Sequence, residues 1–319
     1  MSGTISSTLS DPLPMPRQLS DFVLRQICRH GRVKPGVACP PSDSVWFVTG
    51  SSSGFGLCLV EQLLAAGYRV AGTLRKPDAL AELAARYPDS LMTPEVDVTN
   101  PEQTRSAVAL TVAKWGRIDV LANNAGYGQG GMIEDTPIDE VRAVFETNVF
   151  GALETIRAVL PVMRAQRSGV ILNLSSIVGL VAYRGSGFYA ATKHALEAIS
   201  ESLSIEVAPW NIKVIAVEPG PFRTDFAGRS YKWPSRRMPE YDELYKVAFD
   251  IYERMDGSQA GDPVRAAKLM IEAAESPDPP LRLPMGQFAY EEIDLYIEAL
   301  NADREKWKEK LLATDFQPE

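Results

Sequence analysis

Three side chains in the second half of the chain have the types and spacing needed to move a proton. Tyr189 is followed four residues later by Lys193, and no other tyrosine in the sequence has a lysine at that spacing. Positions four apart share one face of a helix, so the ammonium group would stand beside the phenol. We expect it to favour the phenolate and lower the pKa of Tyr189 from its ordinary value of about 10. Ser176 precedes the tyrosine by thirteen residues and can donate a hydrogen bond to a substrate oxygen.

Other interpretations of these residues are weaker. Tyr183 is a competing acid, but Gly187 occupies the fourth position after it. His194 is more readily explained by packing or surface exposure. Taken singly, the three candidates would be a packed tyrosine, a surface lysine and a capping serine. Their joint spacing favours proton transfer to or from a carbonyl or alcohol oxygen.

A glycine-rich turn far upstream has the form of a dinucleotide site. Residues 49–56 read Thr-Gly-Ser-Ser-Ser-Gly-Phe-Gly and follow an apolar strand. Gly50 permits a tight turn, Gly54 leaves room for a phosphate, and Gly56 lets the next helix pack close to the sheet. A helix N-terminus at this place can bind a pyrophosphate. The spacing differs from the usual G-x-G-x-x-G, and a tight turn without a ligand is the alternative.

The end of the second strand indicates which nicotinamide cofactor is used. NAD sites carry an acidic residue there that accepts a hydrogen bond from the ribose 2′-hydroxyl. Residues 72–76 read Gly-Thr-Leu-Arg-Lys, with no acid. Arg75 can bind a 2′-phosphate through its guanidinium, and Lys76 adds charge. We therefore expect NADP(H), the alternative being that Arg75 is a solvated loop residue.

Composition excludes several classes of protein. The chain has 319 residues, a net charge of -8 and a pI of about 5.1, which argues against nucleic-acid binding. Two histidines cannot build a His-rich metal site, and the three cysteines lack zinc-type spacing. No apolar run approaches the roughly 18 residues of a membrane span, and the N-terminus does not have the form of a secretory signal. We expect no metal, no membrane span and a cytoplasmic location.

Strands and helices alternate along most of the chain. This βα pattern predicts an α/β fold with a doubly wound parallel, Rossmann-like sheet in three α/β/α layers, with ligands at the carboxyl ends of the strands. Strands are predicted at residues 45–49, 69–74, 91–96, 118–122, 170–174, 212–217 and 281–283. Helices are predicted from the glycine-rich turn to residue 67 and at residues 79–87, 101–115, 138–166, 186–207, 263–274 and 289–312.

The chain divides into an N-terminal extension and one domain. Residues 1–43 are rich in serine and proline and contain one predicted helix at residues 20–30. We expect this helix to pack on the domain or on a partner subunit. An organellar presequence is the alternative, but two aspartates interrupt its basic residues. Residues 44–319 are predicted to form a single Rossmann-like domain that ends in extra helices.

Six motifs occur in the order found in one enzyme family. They are residues 49–56, Asp97-Val98, Asn123-Asn124-Ala125-Gly126, Asn148, Ser176 with Tyr189 and Lys193, and Pro219-Gly220 with Thr224. Over about residues 45–225 the chain therefore resembles the short-chain dehydrogenase/reductase family, in its Tyr-x-x-x-Lys branch. The resemblance implies hydride transfer between a nicotinamide and a carbonyl or alcohol.

The resemblance also implies roles for individual residues. Asp97 is expected to bind the adenine amino group, and residues 123–126 to support the sheet and line the cofactor ribose. Asn148 is expected to hold a water in a proton relay, and Lys193 to hold the nicotinamide ribose hydroxyls. The catalytic set is Ser176, Tyr189, Lys193 and Asn148. The cofactor-binding set is Thr49, Gly50, Ser52, Gly54, Phe55, Gly56, Leu57, Thr73, Arg75, Asp97, Val98, Asn124, Ala125, Gly126, Tyr189, Lys193, Pro219, Gly220 and Thr224.

Residues 221–260 lack βα periodicity and carry many large apolar side chains. These are Phe222, Phe226, Tyr231, Trp233, Met238, Tyr241, Tyr245, Phe249, Tyr252 and Met255. We expect a mobile flap over the active site that favours bulky, mainly apolar substrates. The run resembles that of hydroxysteroid- and retinol-type members of the family. Packing of an extra helix or a subunit interface is the alternative, and a homodimer or homotetramer is expected.

The leading interpretation is an NADP(H)-dependent oxidoreductase that interconverts a ketone and a secondary alcohol on a small molecule. A non-catalytic NADP(H)-binding regulator is one alternative, which the four intact catalytic positions count against. An enzyme of the same fold that performs cyclisation or isomerisation is another. A turnover assay without cofactor separates that second alternative from the leading interpretation.

Overall fold

The strands form one large parallel sheet and a small two-stranded sheet. The computed structural model describes residues 43–316. Its strands are β1 (Val45–Thr49), β2 (Arg69–Thr73), β3 (Leu91–Met92), β4 (Val120–Asn123), β5 (Gly128–Gln129), β6 (Gly169–Leu174), β7 (Ile212–Pro219), β8 (Tyr231–Lys232) and β9 (Arg282–Met285). The large sheet has seven strands in the order β3-β2-β1-β4-β6-β7-β9, and every pairing in it is parallel. The strand order reverses between β1 and β4, where a doubly wound sheet opens a crevice for a ligand.

Helices cover both faces of this sheet. They are α1 (Gly54–Ala65), α2 (Ala81–Arg86), α3 (Pro101–Trp115), α4 (Ile138–Phe145), α5 (Ala152–Gln166), α6 (Gly187–Val207), α7 (Asp242–Met255), α8 (Pro263–Glu275) and α9 (Gln287–Leu312). One apolar core joins the sheet to α1 and α8, with Leu63 and Met270 at its centre. A second core on the other face joins it to α3, α5 and α6, through residues such as Val159 and Leu203. The predicted three-layer, Rossmann-like fold is confirmed.

Local sequence explains where these elements begin and end. The central strands are buried on both faces, and their near-continuous apolar sequences suit that position. Asn100 caps α3 by accepting from the backbone N–H groups of residues 102 and 103, and Pro101 fills the first helical position. Gly116 ends the same helix in the left-handed conformation. Asp262 and Pro263 begin α8 in the same way.

Three predicted elements differ from the structure in detail. The third strand, predicted at residues 91–96, forms regular pairs only at Leu91 and Met92, and a single bridge joins Leu74 to Glu95. The fourth strand begins at Val120 and not at residue 118. The helix predicted at residues 138–166 contains one turn of π-helix between α4 and α5, at Glu146–Gly151.

The segment at residues 221–260 is more regular than its sequence suggested. It contains β8, which pairs with β5, and the whole of α7. Tyr245, Phe249 and Tyr252 recur at helical spacing along α7 and turn toward Trp233 and Tyr231. The helix was not predicted because the segment as a whole has no clear periodicity.

The N-terminal extension and its predicted helix at residues 20–30 lie outside the described residues, as do Cys28 and Cys39. The division between residues 1–43 and 44–319 therefore stays a prediction. Within residues 43–316, no helix combines the length and the apolar character needed to cross a membrane.

Candidate active site

A large cleft opens at the carboxyl ends of the central strands. Its volume is about 1530 Å³, above the roughly 300–1,000 Å³ of a site for one small molecule. One side is formed by the turns after β1, β2 and β4, and the other by the ends of β6 and β7 with residues from the 221–260 segment. The cleft therefore has room for a dinucleotide and a second molecule.

The glycine-rich turn brings backbone to the surface of this cleft. Gly50 and Gly54 have φ values of +69° and +57°, in the left-handed region that favours glycine. α1 starts at Gly54, and its first turn contains no acidic residue. The partial positive charge at this helix end therefore faces the cleft without a nearby carboxylate, as a site for a pyrophosphate requires.

Side chains behind the turn hold it in shape. The Thr49 hydroxyl accepts from the backbone N–H groups of Asn124 and Ala125, both at 3.0 Å. The Asn124 amide donates to the carbonyls of Thr49 at 2.9 Å and Gly50 at 3.0 Å. A Cβ on Gly56 would approach the Gly50 oxygen and the Asn124 amide nitrogen to 2.4 Å. Thr49 and Gly56 thus support the cofactor turn from behind and do not line the cleft.

The end of the cleft farthest from Tyr189 carries the cations and the carboxylate that are expected near the adenosine. Arg75 and Lys76 are exposed and line it, together with Asp97 and Val98. Asp97 accepts from the backbone N–H of Thr99 at 2.9 Å and from its hydroxyl at 2.7 Å. Partial burial would raise the pKa of Asp97, but these hydrogen bonds and the charge of Arg75 outweigh it and lower that pKa. Asp97 is therefore an anion that can accept a hydrogen bond.

Ser176, Tyr189 and Lys193 meet where the two halves of the cleft join. Ser176 follows β6, accepts from the N–H of Val178 at 3.3 Å and donates to the Pro219 carbonyl at 3.4 Å. Tyr189 and Lys193 lie one turn apart on α6, and all three side chains are buried yet reach the cleft wall. The Lys193 ammonium nitrogen lies 5.7 Å from the centroid of the Tyr189 ring.

The pKa of the tyrosine differs from the sequence expectation. Burial raises the pKa of Tyr189, and a hydrogen bond with Ser176 only partly opposes this. Burial also lowers the pKa of Lys193 to about 8, against the charge of Glu197. The ammonium donates to the Leu174 carbonyl at 2.5 Å. The expected net lowering of the Tyr189 pKa by Lys193 is therefore wrong, because the cost of burying the phenolate is larger. The phenol keeps its proton at neutral pH and is poised to donate it.

Asn148 lies behind the catalytic residues and joins two segments. It sits in the π-turn between α4 and α5, an irregularity often found at functional sites. Its amide donates to the Tyr127 carbonyl at 2.9 Å and to the Thr192 hydroxyl at 3.1 Å. Its oxygen accepts from the N–H of Tyr127 at 3.0 Å. Asn148 is buried and does not line the cleft, and its hydrogen bonds fix the residue that precedes Lys193.

Aromatic rings from the 221–260 segment pack against Tyr189. Phe226 and Tyr231 lie 5.6 Å and 6.4 Å from the Tyr189 ring, centroid to centroid. Tyr252 on α7 packs on Tyr231 at 4.1 Å and also lines the cleft. Tyr245 anchors α7 to the domain by donating to Asp135 at 2.7 Å. This side of the cleft therefore combines aromatic rings with polar side chains such as Arg229 and Lys232, and it is anchored at its outer edge.

The comparisons with known proteins agree with this geometry. The family model for short chain dehydrogenases matches residues 44–235. The chain belongs to the short-chain dehydrogenase/reductase family. It is an oxidoreductase of that family, with a fold that binds a nicotinamide dinucleotide in its solved relatives.

Two curated relatives cover most of the chain. "Oxidoreductase BOA17" of Botryotinia fuckeliana is 37% identical over 271 residues, 85% of this chain and 98% of that protein. A "3-ketodihydrosphingosine reductase" of Bacteroides thetaiotaomicron is 36% identical over 241 residues, 75% of this chain and 86% of that protein.

Solved structures of the family share the fold. A short-chain dehydrogenase from Streptomyces avermitilis is 40% identical and has a TM-score of 0.80, covering 86% of this chain and 100% of its own. A Burkholderia cenocepacia enzyme in complex with NADP is 27% identical, with a TM-score of 0.64 over 85% of this chain and 98% of its own. A Burkholderia phymatum enzyme in complex with NAD, 24% identical with a TM-score of 0.72, covers 82% of this chain and 95% of its own. Cofactor-bound relatives thus carry either dinucleotide.

The structure brings most of the predicted site residues of this short-chain dehydrogenase together. Those that line the cleft are Gly50, Ser52, Gly54, Phe55, Arg75, Asp97, Val98, Asn124, Ala125, Gly126, Ser176, Tyr189, Lys193, Pro219, Gly220 and Thr224. Thr49, Gly56, Thr73 and Asn148 are buried behind that wall, and the partly exposed Leu57 does not line the cleft. Thr73 is fully buried, and its backbone carbonyl accepts from the N–H of Ser51 at 3.0 Å. Its predicted direct contact with cofactor has no counterpart in this geometry.

Three residues outside the predicted set lie close to the site: Tyr183, Glu197 and Glu218. The rival acid Tyr183 donates to Glu292 at 2.8 Å at the cleft rim, in line with its exclusion. The buried carboxyls of Glu197 and Glu218 behind the catalytic residues were missed. An acid after the four apolar residues 214–217 and directly before Pro219 was the sequence signal for one of them.

Proposed function

We propose that this short-chain dehydrogenase/reductase is an NADP(H)-dependent enzyme that interconverts a ketone and a secondary alcohol on a bulky, mainly apolar small molecule. The observation that carries the proposal is the place of the Tyr189 phenol. It reaches the cleft between Ser176 and Lys193 on one side and the rings of Phe226 and Tyr231 on the other.

Each residue of the site has a separate role in the proposed reaction. A nicotinamide dinucleotide held by the glycine-rich turn would supply or accept the hydride at the substrate carbon. The Ser176 hydroxyl donates a hydrogen bond to the substrate oxygen and fixes its direction. Tyr189 gives its proton to that oxygen in reduction and takes it back in oxidation. Lys193 stabilises the phenolate that remains, and Asn148 joins the Tyr127 backbone to the Thr192 side chain next to Lys193.

The choice of NADP(H) rests on the second strand. Arg75 and Lys76 follow β2 at the far end of the cleft, and neither makes an ion pair within residues 43–316. A guanidinium in that place can bind a 2′-phosphate with two parallel hydrogen bonds. Cofactor-bound relatives with NADP and with NAD are both compatible with the fold, so this part of the proposal depends on these two cations.

The substrate class follows from the wall opposite the cofactor side. Phe226, Ile251, Tyr252 and Met255 form its apolar part, and all come from the segment after β7, which also lines the cleft with polar side chains such as Arg229 and Lys232. Apolar and aromatic walls favour a substrate that buries a large hydrocarbon surface. The relative named as a 3-ketodihydrosphingosine reductase, whose name specifies a ketone on a long-chain base, supports the same class.

Initial rates of NADPH and NADH oxidation test the proposal, with polycyclic ketones, long-chain 3-oxo compounds and acetone as acceptors. We expect NADPH to give the higher kcat/KM, and bulky ketones to exceed acetone by at least about 100-fold, since each buried methylene contributes about 0.8 kcal/mol. Equal rates for acetone and the bulky ketones would contradict the proposed substrate class. Conversion without added nicotinamide would favour the isomerase alternative, and binding without any turnover would favour the regulator. The homo-oligomer and the cytoplasmic location stay predictions from the sequence.

A further inference from the structure

Two buried carboxyl groups lie directly behind the catalytic residues. Glu197 stands on α6 one helical turn after Lys193, and Glu218 is the residue of β7 that precedes Pro219. The side chains are 4% and 0% exposed. Carboxyl groups are rarely buried so completely, because an ionised carboxylate loses its hydration. None of the reaction steps proposed above uses either group.

Both carboxyls face the same cation. The Arg282 Nε lies 3.4 Å from Glu197 and 3.5 Å from Glu218. The same guanidinium donates to Glu201 at 2.9 Å on the more exposed side of α6. Arg282 and Lys193 thus bring two positive charges to three carboxyl groups. The charges of this cluster balance when one of the buried carboxyls carries a proton.

A shared proton also provides a missing hydrogen bond. None of the four oxygens of Glu197 and Glu218 lies in good hydrogen-bond geometry with a donor of residues 43–316, and the Ser175 hydroxyl next to Glu197 is also without a partner there. Both carboxyls face the same Arg282 Nε, so a protonated one can donate its hydroxyl to the other. Burial and the charge of Glu197 raise the pKa of Glu218 to about 8, while Arg282 opposes them. Because this pKa lies above neutral, the pair holds a proton at pH 7, and Arg282 favours a negative charge on the other carboxyl.

The remaining charge acts on the catalytic lysine. Positions 193 and 197 share one face of α6, and Glu197 is the charged neighbour that raises the pKa of Lys193 against the effect of burial. The carbonyl that Lys193 binds, that of Leu174, is neutral. On the same helix His194 faces Glu197, where a charged imidazole favours the carboxylate, and Ser175 can donate to it. Glu197 is thus the carboxylate best placed to keep the lysine charged.

We propose that Glu197 and Glu218 are positioning residues of the active site, which share one proton and together hold Lys193 in its ammonium form. Glu197 supplies the charge next to the lysine, Glu218 holds the shared proton, and Arg282 closes the cluster toward solvent. The catalytic consequence rests on the proposed function, because a neutral lysine cannot stabilise the phenolate of Tyr189. The ionisation of Lys193 in the free protein does not depend on that function.

Competitive acetylation measures this ionisation directly. The full-length protein without cofactor is treated with a trace of acetic anhydride at a series of pH values, and mass spectrometry gives the extent of acetylation at Lys193. Only the neutral amine reacts, so the midpoint of the pH curve reports the pKa of the lysine. We expect Glu197→Gln to lower this midpoint by about one pH unit, which raises acetylation at pH 7 by about fivefold from a starting pKa of about 8.

Two matched variants complete the measurement. Glu218→Gln leaves the full charge on Glu197, so the midpoint should stay in place or rise. Glu201→Gln removes the exposed carboxylate that binds the same arginine and should leave the midpoint unchanged. An unchanged midpoint in Glu197→Gln would overturn the proposal, and so would a lowered midpoint in Glu218→Gln. The Glu218→Gln result can overturn the proposal without the Glu197 variant. The proposal can therefore still be tested if Glu197→Gln does not fold.

The pH profile of the reaction gives a second readout. In Glu197→Gln the alkaline limb of kcat for ketone reduction should move down with the acetylation midpoint, while Glu201→Gln keeps the wild-type profile. A shifted acetylation midpoint with an unchanged rate profile would overturn the positioning role. Absence of turnover in the wild type with every ketone would contradict the proposed function, while the acetylation result would still report on the carboxyl pair.

Discussion

Replacement of Tyr189 by phenylalanine should remove catalysis and leave the fold and the cofactor site intact. The ring keeps its contacts with Phe226 and Tyr231, and Lys193 keeps its place one turn away. Only the hydroxyl and its hydrogen bond with Ser176 are lost. Removing one such hydrogen bond costs about 1 kcal/mol of unfolding free energy. Loss of a positioned proton donor lowers kcat by about 10² to 10⁴, equivalent to about 3–5.5 kcal/mol in the activation barrier.

The assay is NADPH oxidation followed by absorbance with the best ketone of the panel, together with NADPH affinity from fluorescence quenching. We expect the dissociation constant for NADPH to change by less than about twofold, since the tyrosine hydroxyl is not needed for the phosphate contacts. Thermal melting of the variant checks that the fold survives. A variant that keeps more than a tenth of the wild-type kcat would refute the assignment of Tyr189 as the proton donor.

Tyr68 provides a matched control for this substitution. It is buried to the same degree, and its hydroxyl also has a single partner, Glu275, at the amino-terminal end of β2, the end of the sheet opposite the cleft. Tyr68→Phe should therefore cost similar stability without lowering kcat. Tyr183→Phe examines the rival acid at the cleft rim, and a loss there as large as that of Tyr189→Phe would contradict the choice between the two tyrosines.

Three further predictions address the cofactor site and the buried pair. Arg75→Ala should raise the KM for NADPH by about 10- to 100-fold and change that for NADH little, because it removes one charge-assisted phosphate contact; equal effects on both cofactors in steady-state assays would contradict this. Gly56→Ala should weaken NADPH binding measured by titration calorimetry, because the added Cβ meets the Gly50 oxygen at 2.4 Å; unchanged affinity would show that the turn adapts. The folded-state pKa of Glu218, about 8, lies above its unfolded value of about 4.3, so this group's stabilising contribution is complete below that lower value and is lost as pH rises toward 8. Glu218→Gln should therefore lose less unfolding free energy between pH 5 and 8 than the wild type, by up to about 1 kcal/mol per pH unit. Urea denaturation measures this, and an equal loss in the variant and the wild type would contradict the prediction.

Short-range patterns allowed most of the fold to be predicted. β1 is an apolar strand, the glycine-rich turn follows it, and α1 begins at the predicted place. The spacing of Tyr189 and Lys193 put both on one face of a helix, and α6 has them there. In each case the information lies within a few residues, where backbone sterics and helical periodicity act directly.

Features that depend on distant residues could not be predicted in the same way. The pKa of Tyr189 is set by burial under rings from the 221–260 segment, which the motif itself does not contain. The cluster of Glu197, Glu218 and Arg282 draws on α6, β7 and β9, so no window of sequence contains it. The π-turn at Asn148 adds one residue to a helical turn. One extra residue changes the hydrophobic pattern of a helix too little for the π-turn to be predicted from the sequence.

The division of the cleft between two parts of the chain has a consequence for how such an enzyme diversifies. The cofactor side is assembled from the ends of many strands, so a change in one of them disturbs a shared core. The aromatic wall comes from one uninterrupted segment between β7 and α8, and the match to the family model stops inside it, at residue 235. Substitutions within this segment can change the substrate side without altering the strand ends that hold the cofactor. They must preserve the pairing of β8 with β5 and the Tyr245–Asp135 hydrogen bond, which fix the segment to the domain.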